Sequence, residues 1–137
     1  QLILTFQKEV ANRIVSKPGN KSYGRLSILS QWSCNTNILM DISSSSFIPR
    51  PKVDSTVVEF KPKINPEKDF KSCILENVTR ATFSQRRKTL KRSLLMLGDS
   101  SKICAIAGVS EKLRADELSV DQYISISKVI NKLKSEN

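Results

Sequence analysis

Residues 2–6, LILTF, form an apolar run without polar alternation. A strand that alternates leaves one face in water. One that does not is expected to be covered on both faces, in a sheet with helices packed against it. Such a strand needs neighbours on both sides, so the rest of the chain must supply them. KEVANRIV (8–15) carries Val10, Ile14 and Val15 at helical spacing, and KPGNKSYG (17–24) is a loop by its Pro-Gly and Asn content. RLSILSQWSC (25–34) reads both ways: Leu26, Ile28, Ser30 and Trp32 alternate, while Ile28, Leu29 and Trp32 recur at helical spacing. A helix is the favoured reading. NILMDI (37–42) alternates as a strand, SSSS (43–46) is a polar loop, and STVVEF (55–60) is a β-branched strand closed by Pro62. Three strands and two helices are too few to cover residues 2–6 twice. Residues 1–62 therefore read as the last part of a larger α/β domain whose beginning lies before Gln1.

KINPE (63–67) reads as a linker, and after it the period changes to that of helices. Phe70, Ile74, Val78 and Ala81 make one apolar stripe; Leu90, Leu94 and Leu97 make a second, out of phase with the first. A break near Phe83–Gln85 accounts for the phase change, with Ser84 as the predicted N-cap of the second helix and Gly98 and Asp99 as its end. SKICAIAG (101–108) is a short helix stopped by Gly108. SVDQYISISKVINKL (119–133) opens on a capping box, Ser119 and Gln122, with Tyr123, Ile126, Ile130 and Leu133 on its apolar face. Residues 68–137 thus read as a small all-α domain of about four helices.

Charge narrows the partners. The chain of 137 residues has a net charge of +10, which favours a polyanion or a solvated basic surface equally. The distribution decides between them. FSQRRKTLKRSL (83–94) puts Arg86, Arg87, Lys88, Lys91 and Arg92 within seven residues with no acid among them, and Arg80 lies just upstream. A solvated helix face usually mixes signs through i,i+4 pairs. A uniform sign points to contact with nucleic-acid phosphates, from a helix whose other side carries Leu90, Leu94 and Leu97. Within that helix Arg86 falls nearest the leucine stripe and is a candidate for a structural ion pair.

Other chemistry is excluded or undecided. There is no histidine, so Ser-His-Asp, Cys-His and His-metal sites are absent from this chain. Cys34, Cys73 and Cys104 are widely spaced, which argues against a disulfide framework or a zinc site and fits a reducing compartment. No apolar run approaches the ~20 residues of a membrane span. In SFIPRPKVDSTVVEF (46–60), Phe47 precedes two prolines that stiffen the loop, flanked by Arg50 and Lys52. The ring is either a core residue under a rigid loop or a stacking platform for a base. Asp54 reads as a turn cap ahead of the strand, Lys8–Glu9 as an ordinary ion pair, and Trp32 and Tyr23 as core and rim aromatics.

QKEVANRI, YGRLS, FIPRPKVDSTVV, FSQRRKTLKRSL and LRADELSVDQY occur here in one order and spacing. Together they resemble the rRNA adenine dimethyltransferase family, most closely its small-subunit branch linked to kasugamycin sensitivity, over essentially the whole chain. The resemblance implies the C-terminal portion of a two-domain enzyme. Residues 1–62 would belong to a Rossmann-like methyltransferase domain, and residues 68–137 would form a helical rRNA-binding domain. It implies S-adenosylmethionine as methyl donor, bound by a glycine-rich loop that has no match here. The catalytic N-L-P-Y motif of the family is also unmatched, so this chain by itself is expected to be inactive. Phe47 matches the aromatic that stacks on the target adenine. Arg50, Lys52, Arg80, Arg86, Arg87, Lys88, Lys91 and Arg92 would contact rRNA in the pre-small ribosomal subunit. A monomeric, cytoplasmic protein without membrane or metal partner is implied. Three rival readings stay open: a non-catalytic RNA-binding assembly module, a large-subunit enzyme of the macrolide-resistance type, and a mitochondrial transcription factor derived from this family.

Overall fold

The computed structural model describes residues 1–64 and 70–136. Strands β1 (Leu2–Gln7), β2 (Cys34–Ile42) and β3 (Ser55–Pro62) form one sheet in the order β1–β3–β2, with β3 antiparallel to both neighbours. β1 and β2 therefore run in the same direction, joined by helices α1 (Lys8–Val15) and α2 (Arg25–Ser33). RLSILSQWS thus resolves to helix, and β2 starts three residues earlier than the alternation of 37–42 predicts. A register shift at Ile38/Met40 interrupts that alternation. Helices α3 (Ser72–Ser84), α4 (Leu90–Ser93), α5 (Ser100–Ala107) and α6 (Val120–Ser135) follow. Of the expected linker, residues 65–67 lie outside the described residues.

The expectation of double burial for residues 2–6 is not met. Leu2, Ile3 and Leu4 are 54%, 53% and 41% exposed. Among the described residues β1 pairs only with β3, and its covering helix reaches one small cluster: Ala11 and Ile14 of α1 on Val58, with Phe6 and Phe60 edge-on at 6.0 Å. Ile38, Leu39 and Met40 of β2 are exposed as well.

The larger core lies among the helices. Ile74, Leu75 and Val78 of α3, Leu90 and Leu94, Ile103 and Cys104 of α5, and Tyr123, Ile126 and Ile130 of α6 meet there. Tyr23 and Ile28 belong to the same cluster, so α2 packs against the helical part as well as the sheet. Its polar residues tie it to α1. The Gln31 amide donates to the carbonyls of Ile14 (2.9 Å) and Ser16 (2.8 Å), and Ser27 Oγ donates to that of Arg13. These carbonyls belong to the end of α1, where no intrahelical donor is available. Trp32 stacks on Phe70 at 5.6 Å.

Helix ends follow the sequence in part. Ser119 and Gln122 form the predicted capping box on α6, and Gly108 ends α5 at φ 72°, which a side chain would resist. Ser84 is not an N-cap: it is the last residue of α3, and its hydroxyl donates back to the Ala81 carbonyl at 2.9 Å. Asp99 does not end the preceding helix but caps α5, accepting from the Lys102 amide.

Candidate nucleic-acid interface

The basic segment is not one helix. Residues 85–88 form a turn between α3 and α4, so Arg86, Arg87 and Lys88 sit on the turn and only Lys91 and Arg92 on α4. The cause is tertiary. The first amides of α4 are taken by the 111–113 segment, Leu90 N–H donating to Leu113 O (2.8 Å) and Lys91 N–H to Glu111 O (3.0 Å), and Thr89 bridges Arg114. Starting the helix at Leu90 turns the second leucine stripe into the core that α3 already lines, and the break spares five neighbouring cations a shared helix face.

An aromatic group fixes the base of this turn. Phe83 stacks on Tyr123 (6.0 Å, 22°) and meets Tyr23 edge-on (6.4 Å, 67°). Tyr23 and Tyr123 are fully buried, and their hydroxyls donate to the Leu118 and Ala115 carbonyls, each at 2.6 Å. Burial pushes both phenols well above their ordinary range, so they stay neutral donors. The Arg86 guanidinium lies 5.6 Å over the Phe83 ring and donates to the Lys21 carbonyl at 3.2 Å. Arg86 is thus half-buried and partly structural, but through an aromatic face and a carbonyl, not through the ion pair considered from sequence.

Arg80, Arg87, Lys88, Lys91 and Arg92 are exposed. Among the described residues none of them, nor Arg86, lies within ion-pairing distance of a carboxylate. Beside the turn, a cleft of about 290 Å3 is lined by Arg13, Lys21, Arg25, Phe83 and Arg86, with the Arg25 Nε buried and without a hydrogen-bond partner. Arg13 pairs with Glu9 at 2.8 Å. The sequence reading missed Arg13 and Lys21 at this cleft and held Arg25 only as an alternative contact surface with Arg50 and Lys52, while Arg114 lies beside it through its bridge to Thr89. They come from segments far apart in the chain, and QKEVANRI, YGRLS and LRADELS, quoted for resemblance, contain Arg13, Arg25 and Arg114 without singling them out.

The proline loop lies at the other end of the sheet. Asp54 holds it, but not as a local turn cap: its Oδ1 accepts from the Ser44 amide (2.9 Å), ten residues upstream, while its carbonyl accepts from the Lys8 amide (3.0 Å). Arg50 Nε donates to Ser44 Oγ at 3.1 Å. Phe47 is 38% exposed and joins neither apolar cluster, so the core reading of its ring is not what the packing gives. A cleft of about 610 Å3 beside the loop is lined by Gln7, Lys8, Glu9, Arg50, Lys52 and Asp54 among others; Phe47 is outside its lining. Lys8 and Glu9 do not pair with each other. Lys8 faces Asp41 at 3.9 Å and Glu9 faces Arg13.

Cys34, Cys73 and Cys104 are all free thiols. Among the described residues no group of three His, Cys, Asp or Glu is placed to hold a metal, and no helix is long and apolar enough to cross a membrane.

A three-stranded sheet with helices, followed by a helical unit that carries a cationic turn without a carboxylate partner among the described residues, defines an α/β protein with a helical extension. The chain belongs to the ribosomal RNA adenine dimethylase family, whose model matches residues 1–132. It is 41% identical over 131 residues to a ribosomal RNA small subunit methyltransferase A of Rhodospirillum rubrum, covering 96% of this chain and 46% of that protein. It is 45% identical over 135 residues to that of Xanthobacter autotrophicus, covering 98% and 46%. The chain spans about half the length of the curated relatives it matches. Among solved structures it is similar to a dimethyladenosine transferase from Plasmodium falciparum, with a TM-score of 0.72 at 25% identity, covering 90% of this chain and 54% of that one. The fold is also that of the 23S rRNA methyltransferase ErmE, with a TM-score of 0.59 at 18% identity over 93% of this chain and 53% of that one.

Proposed function

We propose that this chain is the C-terminal part of an S-adenosylmethionine-dependent small-subunit rRNA adenine dimethyltransferase, to which it gives a base-stacking loop and an rRNA-binding surface. Residues 1–62 would be the end of a Rossmann-like methyltransferase domain and 68–137 a helical rRNA-binding domain. The protein would act as a cytoplasmic monomer on the pre-small ribosomal subunit. The observation that carries the reading is the turn Arg86–Lys88, anchored on Phe83 and Lys21, with flanking cations that have no carboxylate partner among the described residues. Cations without internal partners are available to phosphate oxygens, and Arg adds bidentate geometry. The exposed apolar residues of β1 and its unpaired edge agree with a sheet that continues in a longer protein.

The chemistry explains the loop. An exocyclic adenine amine is a weak nucleophile because its lone pair is delocalised into the ring. The base must leave its stack and be held flat, with the amine aimed at the methyl group. Phe47, exposed on a loop that Asp54, Ser44 and Arg50 fasten, offers a π face for that purpose. S-adenosylmethionine would supply the electrophilic methyl. The described residues do not fit a complete cradle for it: none of the four glycines lines the cleft beside the loop, and its walls carry Lys8, Glu9, Arg50, Lys52 and Asp54. No catalytic step is therefore assigned to that cleft.

Two measurements test the reading. Binding of small-subunit rRNA fragments should weaken with salt, and replacing Arg87 and Lys91 with Ala should lower the log–log slope by about 0.7–0.9 per residue. Thermal stability should stay within about 0.5 kcal/mol, because both residues are exposed. An unchanged slope moves the phosphate contacts off this turn. Calorimetric titration of the chain with S-adenosylmethionine should give no specific heat, and a saturable site would overturn the assignment of cofactor binding to another part of the protein.

A further inference from the structure

Between α3 and the 95–97 turn lies a second cleft, of about 430 Å3, lined by Asn77, Arg80, Ala81, Ser84, Met96 and Leu97. Its apolar wall is open to solvent, with Met96 67% exposed, and the neighbouring Leu95, outside the lining, is 61% exposed. Leu95 and Met96 are mostly exposed on this 3-10 turn, although the same turn places Leu97 against the core. The polar groups at the cleft are mainly donors. Arg80 Nη1 reaches the Asn77 Oδ1 at 3.5 Å, and both side chains are exposed in the cleft lining, so the Asn77 amide N–H groups and the other Arg80 donors are available there. The Ser84 hydroxyl proton is used on the Ala81 carbonyl. Lys91 and Arg92 are exposed on α4, which leads directly into the 95–97 turn, so cations lie close in the chain to the apolar wall.

We propose that this cleft takes an unstacked guanine of the bound RNA. This rests on the RNA-binding reading above. A flat apolar wall with donors at its rim suits a nucleobase whose exposed edge offers acceptors. The O6 and N7 of guanine match the fork of an arginine, as in the commonest specific base contact. RNA recognition by sequence uses bases splayed from loops or bulges and packed on side-chain surfaces, and the polarizable Met96 thioether supplies such a surface here. Lys91 and Arg92 would hold the adjoining phosphates, with the turn Arg86–Lys88 further along the strand.

The test uses the 137-residue chain and three fluorescent RNA octamers at low salt: all-uridine, the same strand with one central guanosine, and that strand with 7-deazaguanosine. The guanosine octamer should bind about tenfold tighter than the uridine octamer, and the 7-deaza strand should lose most of that gain. Arg80→Lys keeps the charge and removes the fork, and Met96→Ser removes the apolar wall. Met96→Ser should erase the guanosine preference and leave uridine binding within about twofold, and Arg80→Lys should erase the preference whatever it does to overall binding. Both residues are exposed, so folding is not at stake. Equal binding of the uridine and guanosine octamers, or a preference that survives Arg80→Lys, overturns the guanine site and leaves the phosphate surface standing. Absence of salt-dependent binding to any octamer overturns both.

Discussion

The sheet and the helical unit are built to different standards of self-sufficiency. In the helical part, α3, α4, α5 and α6 enclose side chains as large as Leu75, Leu90 and Tyr123 with no exposure at all. In the sheet part only Ala11, Ile14 and Val58 form a buried apolar group, and much of β1 and β2 faces solvent. The contrast teaches where stability and where function reside. The helices bury enough apolar surface to hold a cationic turn in one place. The sheet presents apolar faces and a fastened loop that are available for further contacts. Helix α2 joins the two, giving Ile28 to the helical core and Gln31 to the end of α1.

The strongest way to break this comparison is to truncate matched leucines in the two regions. Leu75→Ala empties a fully buried position and should cost about 2–5 kcal/mol in urea unfolding. Leu4→Ala, in β1, should cost less than about 0.5 kcal/mol. Equal losses would mean that β1 is buried in solution after all.

A smaller effect sharpens the helical side. Cys104 is buried in α5, and burial, with the nearby Glu111 carboxylate adding to it, pushes its thiol from the ordinary value near 9 up to about 11. The folded chain keeps this proton to higher pH than the unfolded chain does. The stability tied to Cys104 is therefore fully present below about pH 9 and is lost as pH rises through about 11. The slope is at most about 1.4 kcal/mol per pH unit. Melting temperatures from pH 8 to 11 should fall less steeply in Cys104→Ala than in the parent chain. Parallel curves would show that the thiol titrates normally.

The smallest expected change concerns Phe47. Because its ring joins neither apolar cluster, Phe47→Ala should alter the chain's stability by less than about 0.5 kcal/mol. In a longer active protein containing this loop, the same change should slow methylation by roughly five- to a hundredfold, the equivalent of ~1–3 kcal/mol of base stacking. Phe47→Tyr should keep most of the rate. A large stability loss with turnover per folded molecule intact would return Phe47 to the core.

Element types were legible wherever periodicity was strong. The alternation of STVVEF, the stripe Ile74–Val78–Ala81 and the Ser119–Gln122 capping box each depend on neighbours within a few residues and are found as the sequence implies, while Phe70, read as the start of that stripe, lies ahead of α3 and reaches the core from there. The cationic character of 86–92 was equally local, since composition alone determines it. What failed were statements about partners distant in the chain. LILTF looks doubly buried because burial was inferred from apolarity, whereas exposure depends on which elements lie above and below the strand. Ser84 looks like an N-cap because Ser caps helices, but the Leu113 and Glu111 carbonyls decide that α4 starts at Leu90. Asp54 reaches Ser44 across the loop, and Arg13, Lys21 and Arg25 gather beside Arg86 because α1, α2 and α3 meet there. The sequence by itself determined the strongly periodic elements, the capping box of α6, the Gly108 stop of α5 and the sign of the surface. Only the tertiary structure decided which cations share a cleft and which apolar faces stay open, because those depend on contacts between residues that local periodicity does not relate.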